Sequence, residues 1–167
     1  MVLKLTKENI REAIKENEER MDGRGLKDYR DIEIVPNYIH ESAEGSALVK
    51  IGDTQVLVGI KMDVDEPYPD RPDQGSLITN AELSPLASPE YESGPPGEEA
   101  TEIARVIDRG LRESGTVKLT DLCIEEGEKV WLIFVDIHVL DYDGNLIDAA
   151  FIGAITALMT AEVPVYN

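Results

Sequence analysis

The rhythm of apolar positions changes several times along the chain and assigns its elements. Over residues 6–20 only Ile10, Ala13 and Ile14 recur at helical spacing. They predict a short helix with a thin apolar edge and Thr6 as its N-cap, an arm that docks elsewhere. In "DIEIVP" the period becomes two at Ile32 and Ile34, and in "SALVKIGDTQVLVGIKMDV" two β-rich runs flank Gly52-Asp53, a hairpin pattern. Three prolines make "DEPYPDRPDQG" a loop, after which "SLITNAELS" resumes a β-branched strand pattern. Four prolines place Ser84 to Gly97 in a second loop.

A helix is predicted over Glu98–Ser114, with two carboxylates in its first turn and Ala100, Ile103, Ile107 and Leu111 on one face. Beyond Gly115, "LTDLCIEEGEKVWLIFVDIHVLDYDGNLID" predicts a strand, a turn at Glu126-Gly127, a long buried strand and a tight Asp143-Gly144 turn. "AAFIGAITALMTAEV" is apolar nearly all round and predicts a buried second helix. Strands followed by helices, without regular βαβ alternation, imply an α+β fold with helices on one face of a mixed sheet. The organisation expected is an N-terminal helical arm over 1–21 and one domain over 22–167.

Charge sharpens this outline. The chain carries 34 acidic and 16 basic side chains among 167 residues, a formal net charge of -18. Such a surface repels polyanions unless its cations are concentrated. "ARVIDRGLR" concentrates them: Arg105, Arg109 and Arg112 fall within about 60° of one another on a helix, opposite its apolar face. Two readings stand. Glu102 with Arg105, Asp108 with Arg112 and Arg109 with Glu113 all have contact spacing, which makes a surface ion-pair ladder. Yet neighbouring arginines repel one another unless an anion lies between them, and adjacent guanidinium forks suit phosphate oxygens.

Other chemistry is sparse. No P-loop, dinucleotide fingerprint, nucleophile elbow or paired-cysteine metal motif occurs. His138 and Asp136, two apart on a strand, can share a face and pair, without a nucleophile nearby. Cys123 reads as a small buried apolar group, and one cysteine excludes an internal disulfide framework and fits a reducing compartment. The clusters "DVDEP" and "DLCIEEGE" lack calcium-loop spacing, so no metal and no cofactor are expected. The N-terminus becomes charged before a signal-peptide core could form and no apolar run is long enough to span a bilayer, so the expectation is a cytoplasmic chain without membrane contact.

The ordered segments "MDGRGLKDYRDI", "GSALVKIGDTQVLVGIK", "ELSPLAS", "GPPGEEATEIARVIDRGLRES" and "VLDYDGNLIDAA" closely resemble the ribonuclease PH superfamily. Within it they resemble the non-catalytic RNase-PH-like subunit of the archaeal exosome. The resemblance covers the chain from Asp22 onward. It implies an RNase PH-like fold similar to domain 2 of ribosomal protein S5. It also implies a hexameric ring alternating with an active RNase-PH-like subunit, capped by exosome cap proteins, through which single-stranded RNA is degraded from its 3′ end with inorganic phosphate.

By the same resemblance, active members follow the turn with Ser or Thr and then Arg, which hold the attacking phosphate. Here Gly144 is followed by Asn145 and Leu146, which implies a degenerate phosphate site and no catalytic residue. Arg105, Arg109 and Arg112 match arginines through which the inactive subunit contacts RNA. Family subunits continue into a second β-rich half that carries the catalytic aspartate in active members. This sequence stops at Asn167, as a fragment or a short form. The function implied is a structural, RNA-binding subunit. An independent phosphorolytic exoribonuclease and a pure scaffold without RNA contact are the alternatives.

Overall fold

A computed structural model describes residues 4–17, 19, 20 and 22–166, of which 4–7 and 17 as backbone alone. Two compact units result, residues 1–32 and 33–167. In the first, helix α1 spans Lys4–Asn17, so Thr6 lies inside its first turns rather than ahead of them as a cap. Ile10 and Ala13 are half-buried and Ile14 is exposed. Glu19 bridges Gly25, and Arg24 Nε donates to Asp22 Oδ2 at 2.7 Å. Met21, the end of the expected arm, lies outside the described residues.

The second unit is a mixed sheet with two helices on one face. Its strands are β1 (Ile32–Pro36), β2 (Gly45–Ile51), β3 (Thr54–Asp65), β4 (Ser76–Leu83), β5 (Cys123–Glu125) and β6 (Lys129–Asp141), ordered β1-β2-β3-β6-β4 with β5 also on β6. The β2–β3 hairpin turns at Gly52-Asp53 as the pattern predicts, with Gly52 at φ 59, where a side chain would be strained. β6 runs antiparallel to β3 and parallel to β4. A parallel pair needs a long crossover, and helix α2 (Glu98–Ser114) occupies that connection.

Alternation along β3 and β6 buries Val56, Val58, Ile60, Val135, Ile137 and Val139 beneath the helices, in one core with Ile103, Ile107 and Leu111 of α2. Helix α3 (Leu146–Thr160) closes the core over β2 and β3 with Ala149, Ala150, Ala154 and Ala157, all fully buried. These small side chains let the helix lie close. A Cβ on Gly45 would clash with the Ala157 carbonyl and stand 2.7 Å from the Ala161 backbone.

Two expectations are corrected here. The second helix was expected over 149–163 and buried all round, but it begins at Leu146, ends at Thr160 and leaves Ile147 and Met159 exposed. It stops early because the Glu162 amide donates to the Glu44 carbonyl at 3.0 Å, drawing the chain onto the sheet ahead of Pro164. Cys123 is half-buried rather than buried, since β5 is only three residues long.

Candidate nucleic-acid interface

Helix α2 places the arginines by burying its opposite face. Ala100, Ile103, Ile107 and Leu111 are buried, and Gly110 approaches Phe151 of α3 so closely that a Cβ would stand 2.6 Å from Cε2. Glu98 and Glu99 occupy the first turn, where carboxylates favour the positive end of the macrodipole. Gly115, left-handed at φ 66, ends the helix and returns its N–H to the Arg112 carbonyl.

The three arginines have different local commitments. Arg105 is exposed and, among the described residues, has no ion pair; Glu102 does not reach it. It stands beside an open groove with Pro96, Thr101 and Val106. Arg109 Nε lies 2.9 Å from Glu113 Oε1, a pair whose side chains are 78% and 67% exposed, so water screens it strongly. Arg112 is the most enclosed: Nε donates to Asp108 Oδ2 at 2.7 Å and Nη2 donates to the Leu77 carbonyl of β4. Asp108 also accepts from Thr79 Oγ1 at 3.2 Å. The stripe therefore combines one unpaired cation, one loosely paired cation and one tied to the sheet.

The turn before α3 is fixed from the β2–β3 hairpin. Thr54, fully buried, donates from Oγ1 to the Gly144 carbonyl at 2.7 Å and accepts from the Asp143 amide at 2.9 Å. Gly144 and Asn145 are both left-handed, at φ 79 and 59, and the Asn145 side chain makes no cap hydrogen bond. Leu146 is 6% exposed and belongs to the core. The first helical turn carries Asp148. A helix N-terminus ordinarily favours anions, but this one presents an apolar side chain inward and adds a carboxylate.

Beside this turn, the 84–97 loop is held where the Tyr142 amide donates to the Ala87 carbonyl at 3.1 Å. The Tyr91 and Tyr142 rings lie 5.6 Å apart. Burial pushes the Tyr91 phenol well above its ordinary value, and the Glu99 carboxylate adds to the shift.

His138 and Asp136, which could share a face, do not pair with each other. His138 Nδ1 lies 3.2 Å from Glu82 Oε2, and Asp136 accepts from Asn80 Nδ2 at 3.0 Å. Both carboxylate and amide partners come from β4, whose parallel register sets Asn80 opposite Asp136 and Glu82 opposite His138. Among the described residues no group of three or more His, Cys, Asp or Glu side chains is placed to hold a metal ion. No described helix is long and apolar enough to cross a membrane.

The model of the RNase PH domain, described as 3′ exoribonuclease family, domain 1, matches residues 28–164. The chain belongs to that family. As an RNase PH-type domain it is 58% identical over 164 residues to the exosome complex component Rrp42 of Archaeoglobus fulgidus, covering 98% of this chain and 62% of that protein. Superposed on the Archaeoglobus fulgidus exosome with RNA bound to the active site, it gives a TM-score of 0.91 at 59% identity, over 96% of this chain and 62% of that one. An archaeal exosome core gives 0.84 at 54% identity, over 96% and 60%. The chain thus spans about three fifths of the relatives it matches.

For this RNase PH-type domain the α+β class, the mixed sheet and the helices on one face agree with the sequence reading. What that reading missed is the β4 contribution: the Leu77 carbonyl under Arg112, and Glu82 and Asn80 opposite the central strand. The spacing of Arg112 and Asp108 signalled their pair, but nothing local signalled β4 as the neighbour.

Proposed function

We propose that the chain is a non-catalytic, RNA-holding subunit of an archaeal exosome ring, in which an active RNase-PH-like partner performs 3′-to-5′ phosphorolysis. Arg105, Arg109 and Arg112 contact RNA phosphates within the complex, exosome cap proteins sit over the ring, and the compartment is the cytoplasm. Gly144, Asn145 and Leu146 form the remnant of a phosphate site.

The observation that carries this reading is Leu146. A buried Leu, 6% exposed, opens α3 where catalysis by phosphate needs a cation, and Asp148 follows in the same turn. Likeness to proteins named as exosome components supports the assembly. The general charge of -18 supports a local rather than diffuse RNA contact, since only concentrated arginines overcome it.

A test separates the roles. With phosphate and RNA the chain alone releases no nucleoside diphosphate, and mixing it with an active RNase-PH-like subunit gives a larger assembly that does. Reproducible diphosphate release by the contaminant-free chain refutes the non-catalytic assignment.

One observation favours a second reading, a pure scaffold: Arg109 and Arg112 each have a carboxylate partner within 3 Å. On that reading RNA affinity of the assembly is indifferent to all three arginines.

A further inference from the structure

We propose that Asp22-Gly23 is a latent modification site, an aspartate that isomerises through a cyclic imide once Arg24 releases its carboxylate. The chain contains two Asp-Gly pairs, at 22–23 and 143–144. Glycine after aspartate leaves the next main-chain nitrogen unshielded, because no Cβ stands beside it. Gly23 is left-handed at φ 81, and even an added Cβ would find nothing within 4 Å. No packing covers this peptide.

Only the atoms of the pair and water take part. The Gly23 nitrogen attacks Cγ of Asp22, a C–N bond forms, and the hydroxyl of the acid leaves as water with the amide proton. Water then opens the imide on one side or the other. Opening at the former side-chain carbonyl restores aspartate; opening at the former main-chain carbonyl leaves the chain running through Cγ, with the α-carboxylate displaced. The target must be the neutral acid, since a carboxylate resists attack and has no hydroxyl to release.

Arg24 opposes that step twice. Its Nε donates to Asp22 Oδ2 at 2.7 Å and its amide donates to Oδ1 at 3.2 Å, so both carboxylate oxygens are engaged. The guanidinium, and after it the amide, hold the Asp22 carboxyl below its ordinary value and keep the neutral acid scarce. The nucleophile is occupied as well, because the Gly23 amide donates to the Arg20 carbonyl at 3.0 Å. Arg24 is itself anchored: Nη1 donates to the Asp28 carbonyl at 3.0 Å, and its own carbonyl accepts from the Arg20 amide at 2.8 Å.

The other Asp-Gly pair has a separate clamp. Buried Thr54 holds the Asp143 amide and the Gly144 carbonyl. The hydrogen bonds of Arg24 fall within residues 20–28, inside the first compact unit, so its loss leaves the 143–144 turn in place. Isomerisation at Asp22 adds a methylene to the main chain and shifts the register of the Glu19–Gly25 bridge. The first unit loosens while the sheet of the second is untouched.

The experiment incubates the full chain at neutral pH, digests it and counts isoaspartate at Asp22 and at Asp143 by fragmentation mass spectrometry, which distinguishes the two isomers. The quantity read is the ratio of the two sites in the same molecules. Arg24→Ala should raise that ratio about threefold or more, since each unit by which the carboxyl pKa recovers is tenfold in neutral acid. Asp22→Glu, whose longer side chain needs a larger and slower-closing ring, should show no isomer there. If the ratio in Arg24→Ala equals that of wild type, whatever the two absolute rates do, the guard is overturned. If Asp22 isomerises in the folded wild type as fast as in the urea-unfolded chain, Arg24 protects nothing and the proposal fails too.

Discussion

Replacing Arg112 with alanine should destabilise the fold, whereas the same change at Arg105 should not, although both belong to one stripe. Arg112→Ala removes a charged hydrogen bond to the Leu77 carbonyl, worth about 1.5 kcal/mol. It also removes an ion pair with Asp108 whose side chains are 38% and 28% exposed, worth about 0.5 kcal/mol after screening. Asp108 keeps its hydrogen bond from Thr79, so no carboxylate is orphaned to enlarge the loss. The sum is about 2 kcal/mol, or roughly 4–8 °C in melting temperature for a chain of this size. Arg109→Ala gives up a more exposed pair and should cost about 0.3–0.5 kcal/mol. Arg105→Ala, with no ion pair to lose, should stay within about 0.5 kcal/mol of wild type. Thermal melts followed by circular dichroism supply the stabilities, and RNA titrations of the assembled mixture across a salt series supply the slopes. Arg105→Ala and Arg109→Ala should each flatten the slope by about 0.7 without altering sequence preference. If Arg112→Ala melts with the wild type, or Arg105→Ala loses several degrees, the difference between the tied Arg112 and the unpaired Arg105 is wrong. If melting falls while RNA affinity and slope stay fixed in all three variants, the stripe is an ion-pair ladder.

Gly45→Ala should cost about 1–3 kcal/mol, because its Cβ meets backbone of α3, while Gly59→Ala, with nothing within 4 Å, should melt near wild type; equal melting temperatures would refute the close approach. Leu146→Arg should lose about 2–5 kcal/mol, as the guanidinium must leave the core and a cavity remains, and calorimetric titration should find no phosphate binding even with Asn145→Ser added. A melting temperature like wild type together with phosphate binding would show that the site is intact. The raised Tyr91 phenol predicts a pH effect: the folded state holds its proton more tightly than the unfolded chain, so this contribution is complete below pH 10.0 and declines as pH rises above it. Wild type should therefore lose stability relative to Tyr91→Phe in alkaline urea melts, and parallel curves would contradict the burial of the ring.

Helix α2 was legible at both ends because every signal agreed: glycine before it, two carboxylates opening it, apolar residues spaced to one face and a left-handed glycine closing it. The β2–β3 hairpin was legible for the same reason, since its register follows from local alternation about one tight turn. Helix α3 was misplaced by three residues, since apolar composition gives no phase and the decisive hydrogen bonds, from Thr54 to the turn and from Glu162 to Glu44, join distant segments. The β4–β6 pairing lay furthest from view. Asn80 and Asp136 meet across 56 residues, and nothing in either strand's own sequence names the other. Thus Arg112 and His138 were seen as candidates, while their partners Leu77 and Glu82 were not.

The position of β6 has a consequence for how the chain is made. It lies between β3 and β4 and also pairs β5, yet among the described residues it is the last strand in sequence. As the polypeptide leaves the ribosome, the β2–β3 hairpin can form from its own residues, but β4 has no paired neighbour and α2 lacks the β6 and α3 residues of the core it joins. Loop closure over such distances is slow, and it cannot begin before the partner exists. Some fifty residues, 76–128, with β4 and α2 among them, must therefore wait until β6 emerges, and at an elongation rate of about 5–20 residues per second that wait lasts several seconds. Nascent-chain pulldown should find chaperones at their densest in that window, before residue 141 clears the exit tunnel.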